Sequence, residues 1–271
     1  MGKIDDIQAY KEWTEYHRSL KRDKAADNLS PVERKKKLEK LEANVIEWIL
    51  FFFSEFAKYP FTKFHKKAIK RITTNMEWYE VLSWSRELAK STIVFMCMMY
   101  LVLTGKKKNV LLISNSHENA VRLLEPYKKA FESNSMLKAY YGDLREFGSW
   151  TADEFTLTTG ATFRAIGALE SPRGTRKDAV RPDTALVDDF DTDADCRNPD
   201  ILKKKWEWFE EALFPTRSIS EDLLVIFCGN LIALDCCVKR AGDKADHWDI
   251  VNIRDLSLIH ISEPTRLRRI S

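Results

Sequence analysis

The sequence predicts an α/β domain in which a mostly parallel sheet carries helices on both faces, preceded by an N-terminal helical segment. Three observations carry that prediction. From Phe61 onward, short apolar runs of strand length alternate with runs of helix length. One short run, Tyr79–Trp84, leads through a polar turn containing Lys90, Ser91 and Thr92 into the apolar run Ile93–Leu103. Another, Thr184–Val187, ends in the paired carboxylates Asp188 and Asp189. Short aliphatic strands separated by helices are buried on both faces, which is how parallel sheets are built.

Residues 1–60 read as helical and rich in charge. Leu29-Ser30-Pro31-Val32-Glu33 sets a capping serine before a proline at the first helical position, a start signal. One helix is expected from Val32 to about Phe56, with Leu38, Leu41, Val45, Trp48, Ile49 and Phe52 recurring at helical spacing. Its basic cluster Arg34–Lys37 reads first as a solvated face and second as a nucleic-acid contact. Tyr59-Pro60 breaks the pattern. A short helix, Phe64–Thr73, then precedes the Tyr79–Trp84 strand and its helix, which Gly105 stops from the usual C-terminal capping position.

Asn109–Ser114 is a strand, and Asn115-Ser116 cap a helix from His117 to about Glu132 that Pro126 is expected to kink or divide. Phe155–Thr159 and Thr162–Gly167 form a hairpin about Gly160-Ala161. Asn198–Leu213 reads as a helix, Leu223–Phe227 as a strand and His247–Ile253 as a last strand.

Several function classes drop out. Met1–Tyr10 is charged and lacks the apolar core of a signal peptide. Ile46–Phe53 and Ile93–Leu103 fall short of the roughly 18–20 apolar residues a membrane span needs, so no membrane is expected. The five cysteines have neither C-x-x-C pairing nor a histidine at zinc spacing, which favours a reducing cytoplasm. Asp188–Asp195 lacks the central glycine and closing glutamate of a calcium loop.

The chemistry concentrates in Trp84–Thr92, W-S-R-E-L-A-K-S-T. A lysine followed by hydroxyls at a strand-to-helix turn can hold nucleotide phosphates: backbone N–H groups point at the anion, the lysine adds charge and a hydroxyl binds Mg²⁺. The two glycine positions of the strict pattern hold Trp84 and Ala89. The strand ending in Asp188-Asp189 has the form of a Walker B motif, delivering one carboxylate to the metal and a second to the attacking water. Leu223–Phe227 runs into Cys228-Gly229-Asn230, where a polar side chain at a neighbouring strand end can sense the γ-phosphate. An acidic surface turn and an ordinary Gly-Asn turn are the plainer readings of those two segments. The class implied is a RecA/ASCE-like P-loop ATPase using ATP and Mg²⁺.

Ser85–Thr92 resembles the S-R-x-L-[GA]-K-[ST]-T phosphate loop of the large terminase subunits of tailed bacteriophages. Asp188-Asp189, the preceding Arg173-Gly174 and Arg181-Pro182-Asp183, and Phe227–Asn230 resemble the family's other motifs in the same order. Phe64-His65 falls where many members carry an aromatic-Gln adenine motif, with His65 in the place of Gln.

The resemblance implies that Ser85, Arg86, Glu87, Leu88, Ala89, Lys90, Ser91 and Thr92 line the nucleotide, with Phe64 and His65 at its base. It further implies that Lys90 holds the β/γ-phosphates and Arg86 adds a second cation. Ser91, or Thr92, would bind Mg²⁺ with Asp188; strict alignment favours Ser91. Asp189 would activate water and Asn230 would sense the phosphate. Arg173 and Arg176 reach phosphate or DNA in one reading and form salt bridges in another. The implied partners are double-stranded phage DNA, a portal protein, a small terminase subunit and further copies in a ring on the procapsid, in the host cytoplasm. A helicase-like translocating ATPase and a remnant without turnover are the alternatives.

Leu256–Arg266 resembles the translation of a transposon-end sequencing adapter. The expected division is therefore 1–60 as the helical segment, 61–255 as the ATPase domain and 256–271 as non-native. The natural chain is expected to continue past Asp255 into a nuclease domain.

Overall fold

The computed structural model describes residues 29–57, 59–171, 181–213, 215 and 222–252. Arg173, Gly174, Arg176 and the 256–271 tail lie outside them. Eight strands form one sheet in the order β3-β4-β5-β2-β6-β7-β1-β8. They are β1 (Trp78–Trp84), β2 (Asn109–Ser114), β3 (Arg145–Trp150), β4 (Glu154–Leu157), β5 (Thr162–Gly167), β6 (Thr184–Asp188), β7 (Leu224–Cys228) and β8 (His247–Val251). The run from β5 to β8 is parallel throughout; β3 and β4 add an antiparallel edge. β7 lies between β1 and β6, so the chain crosses over between these neighbours.

Alternation along the strands divides the core in two. Leu82, Trp84, Val110, Leu112, Leu186, Leu224 and Ile226 face one apolar cluster; Val81, Leu111, Ile113, Ala185, Val187, Val225 and Phe227 face the other. The first face is covered by α1 (Pro31–Glu42), α2 (Val45–Phe52), α3 (Lys63–Thr74), α4 (Lys90–Leu103), α5 (His117–Ser133) and α6 (Ser135–Tyr141). Residues before and after Pro60 share this core. After the short α7 (Asp193–Cys196), the second face is covered by α8 (Pro199–Glu207), its π-helical continuation Trp208–Leu213 and α9 (Cys237–Lys244).

α4 is the centre of the first layer: every residue from Ile93 to Val102 is buried. A helix apolar on all sides is stable only inside, and each large side chain there contributes about 1.5–3 kcal/mol of burial. Among the described residues, no helix is long and apolar enough to cross a membrane.

The single helix expected from Val32 to Phe56 is two. Ser30 and Glu33 cap α1 reciprocally, but Asn44 is extended and its side chain accepts from the Ile46 and Glu47 N–H groups. That second cap turns the chain and lets the apolar α2 enter the core. Pro126 leaves α5 in one piece. At the N-terminal edge of the sheet, the buried Lys107 Nζ donates to the carbonyls of Met76 at 2.8 Å, Asp183 at 3.1 Å and Asp222 at 2.8 Å. All three of its donors are used, which is what makes a buried ammonium tolerable.

Candidate active site

The parallel strands end together, and four of these ends carry the site. β1 stops at Trp84, whose buried indole packs on Phe64 and His65, with ring centroids 4.9 and 5.4 Å away. Ser85 N–H donates to Val251 O at 2.9 Å, tying the loop start to β8. Arg86 and Glu87 project into solvent and Leu88 returns to the core. Glu87 and Ala89 have φ of 70° and 57°. Ala89 thus holds the left-handed backbone for which glycine is the usual choice, at about 1 kcal/mol or more. It is also the N-cap of α4, and no side chain caps that helix. The first-turn N–H groups, with Lys90 and Ser91, form a positive helix start of the kind that receives phosphate.

β6 and β7 bring the acidic and amide groups to the same edge. Asp188 lies level with Cys228 across the ladder. Ser91 Oγ donates to Asp188 Oδ2 at 2.5 Å, and Lys90 Nζ donates to Asn230 Oδ1 at 3.4 Å. Burial raises the Asp188 pKa to about 6; Asp189 adds to this rise, while the Ser91 hydrogen bond and Lys90 oppose it. Asp189 has φ 46° and is exposed. This left-handed kink turns consecutive carboxylates to different surroundings: Asp188 stays inside and Asp189 lines the cleft. A cleft of about 240 Å³ is bordered by Arg86, Asp189, Asp193, Gly229, Asn230 and Ile232. Gly229 is required there, because a Cβ would stand 2.2 Å from Val238 Cγ2.

These contacts bring Arg86, Lys90, Ser91, Asp188, Asp189 and Asn230 together. Thr92 is half-buried one residue beyond the Ser91–Asp188 contact. Ser91 with Asp188 offers the hydroxyl and carboxylate oxygens that a hard divalent cation takes, so the donor set fits Mg²⁺. His65 sits differently from an open base-reading group. Thr62 N–H donates to its Nδ1 at 3.3 Å, so Nε2 carries the proton and donates to Leu88 O at 3.0 Å. Both ring nitrogens are engaged, and burial lowers the pKa, with the Leu88 contact opposing.

Two supports of the site have no sequence signature. Lys205, from α8, is 3% exposed, donates to Phe190 O and Asp195 Oδ2 and lies over the Phe190 ring. It fastens the loop that follows Asp189. Asp191 Oδ2 accepts from Val238 N–H at 3.0 Å, joining that loop to the start of α9. Elsewhere, Glu80, His247 and Asp249 lie within ligand reach of one another, but the Arg71 guanidinium bonds Glu80 at 2.6 Å and Asp249 at 2.7 Å. That cluster is an ion-pair network with its own cation.

No family model and no curated protein matches the chain. Among solved structures it is similar to the large terminase of bacteriophage HK97, with 14% identity and a TM-score of 0.42 over 63% of this chain. That match spans only 33% of the HK97 protein. It is also similar to the large terminase ATPase domain of Thermus phage P74-26, with 14% identity and a TM-score of 0.43 over 74% of this chain and 83% of that one. At such identities the likeness is one of fold.

Proposed function

We propose that this chain is an ATP-hydrolysing unit of a viral DNA-packaging motor of the large terminase type. The observation that carries the reading is the convergence of three segments. Arg86, Lys90 and Ser91 in the loop and start of α4, Asp188 and Asp189 at the end of β6, and Asn230 after β7 share one sheet edge and cleft. The motif resemblance of Ser85–Thr92 supports the narrower assignment.

Lys90 and the first-turn amides of α4 bind the β- and γ-phosphates, and Arg86 neutralises charge from the cleft side. Ser91 and Asp188 would hold Mg²⁺, which would supply charge neutralisation at the phosphates when bound. Asp189, exposed to the cleft, accepts the proton of the attacking water. Asn230 exchanges its Lys90 contact for the nucleotide, passing occupancy to β7 and the segment leading to α9. The partners in this reading are double-stranded phage DNA, a portal protein, a small terminase subunit and further copies in a ring on the procapsid, in the host cytoplasm.

The test is Mg²⁺-dependent ATP turnover by the 271-residue chain against Lys90→Ala, with and without duplex DNA and portal protein. Wild type should exceed the variant by at least about 10²-fold. Equal rates under every condition would sink the enzymatic reading.

A further inference from the structure

The proposed nucleotide site makes no use of the most one-sided charged helix face among the described residues. On α3, Lys63, Lys66, Lys67 and Lys70 are all exposed, while Ala68, Ile69, Ile72 and Thr73 are buried. Their spacing i, i+3, i+4, i+7 sets four ammonium groups along one stripe. The stripe is about 10 Å long at 1.5 Å per residue. α3, KFHKKAIKRITT, contains no acidic residue.

The other described helices with several lysines behave differently. α1 sets Arg34, Lys35, Lys36, Lys37 and Lys40 among Glu33, Glu39 and Glu42. On α8, Lys203 stands 3.6 Å from Glu207, and on α9 Lys239 stands 3.3 Å from Asp243. Among the described helices that carry two or more lysines, α3 alone contains no acidic residue.

α3 is also held at both ends. His65 in its first turn bonds the Leu88 carbonyl of the phosphate loop, and Arg71 in its last turn bonds Glu80 on β1 and Asp249 on β8. The stripe is therefore a fixed feature joined to the loop beside Lys90.

We propose that the lysine stripe of α3 is the surface on which this chain holds the phosphate backbone of duplex nucleic acid, an inference that rests on the DNA partner of the proposed function. Charge complementarity selects that occupant. Each strand of a duplex presents a phosphate per 3.4 Å of axis, so the stripe spans about three. Lysines are point charges without the planar fork that reads base edges, so the contact is sequence-independent.

The experiment measures affinity of the full chain for a mixed-sequence duplex across a salt series. It compares wild type with K63Q/K66Q/K67Q/K70Q and with the equal-charge control K35Q/K36Q/K203Q/K204Q. Each phosphate contact contributes about 0.9 to the slope of log K against log salt. The α3 variant should flatten that slope by about 3, and the control by less than about 1. Equal flattening by both variants, an unchanged slope in the α3 variant, or no duplex binding by wild type would overturn the proposal.

Amine acetylation of wild type removes dependence on variant folding: duplex should protect Lys63, Lys66, Lys67 and Lys70. Protection by polyglutamate but not by duplex would overturn the proposal in favour of an acidic protein partner. Fluorescent ATP binding in the same samples separates the two readings. Its absence in wild type counts against the nucleotide site, while the duplex slopes still decide the α3 surface.

Discussion

Ser91 Oγ and Asp188 Oδ2 are hydrogen-bonded at 2.5 Å although 97 positions separate them in the chain. The bond joins the first turn of α4 to the end of β6 across the intervening β7. It gives a buried carboxylate one donor while leaving its charge poorly solvated, which is why burial lifts the Asp188 pKa to about 6.

Asp188→Asn should therefore separate stability from activity. A raised folded pKa means that this carboxyl favours folding most below its ordinary value and loses that contribution as pH rises through about 6. At about pH 7.5 the charged form is a burden on the fold. Asparagine keeps its one carbonyl oxygen for the Asp189 N–H, and the Ser91 hydroxyl can turn to accept from the side-chain amide, so thermal stability should rise by roughly 1–2 kcal/mol. ATP turnover should fall at least about 10²-fold. Melting curves and hydrolysis rates on one preparation check both. A variant that loses stability and activity together would make Asp188 a structural residue.

Ala89→Gly tests the glycine-free loop. The left-handed backbone at Ala89 costs about 1–2 kcal/mol with a Cβ, while glycine adds about 0.5–1 kcal/mol of chain entropy to be lost on folding. The first effect is the larger, so the variant should be more stable by up to about 1 kcal/mol. Ala89→Val, branched at Cβ, should destabilise by more than about 1 kcal/mol. Denaturant midpoints for the three proteins give the order Gly, Ala, Val. Any other order would mean that the loop relaxes away from φ 57°.

The parts of this fold written in sequence are those governed by short-range patterns. Asn109–Ser114 was legible to the residue, and β1, β6 and β7 within a residue or so, because uninterrupted aliphatic runs permit little else. The candidate phosphate loop and acidic pair were legible because their chemistry demands particular residues at strand ends. Asn44 as a second cap was hidden by apolar spacing that continues in phase from Leu41 through Val45 to Trp48. β3, R-E-F-G-S-W, has no buried face to impose alternation, so no period-2 pattern marks it in the sequence. Lys205 and the His65–Leu88 bond depend on which loops approach in three dimensions, and no periodicity encodes that.

His65 sets an acid-side limit on stability. Its folded pKa lies below the ordinary 6.5, chiefly through burial. The unfolded chain therefore binds the proton first, and stability declines as pH falls from about 6.5 through the folded value. His65→Gln cannot titrate. The melting temperature should drop more between about pH 7.5 and 5.5 in wild type than in the variant. Asp188 is present in both proteins, so its opposite trend cancels in the comparison. Equal drops would mean that His65 is not held neutral.

Lys205 is expected to act on the reaction through the loop behind Asp189. Its ammonium bonds Phe190 O, one residue from Asp189, and Asp195 Oδ2 at 2.8 Å. Burial alone would raise the Asp195 pKa, but Lys205 and Thr192 outweigh it and hold the carboxyl below its ordinary value. Lys205→Met leaves that carboxylate without a cation and a buried carbonyl without a donor, and should cost about 3 kcal/mol. Removing both charges in Lys205→Met/Asp195→Leu should recover much of the stability, since a missing pair costs less than a broken one. Turnover should not recover with it. The loop would still lack its tie at Phe190, so kcat should remain low while KM for ATP, assigned in the proposed function to Lys90 and its loop, stays near wild type. Melting curves and steady-state kinetics on the single and double variants separate the two effects. Recovery of kcat in step with stability would reduce Lys205 to a core residue.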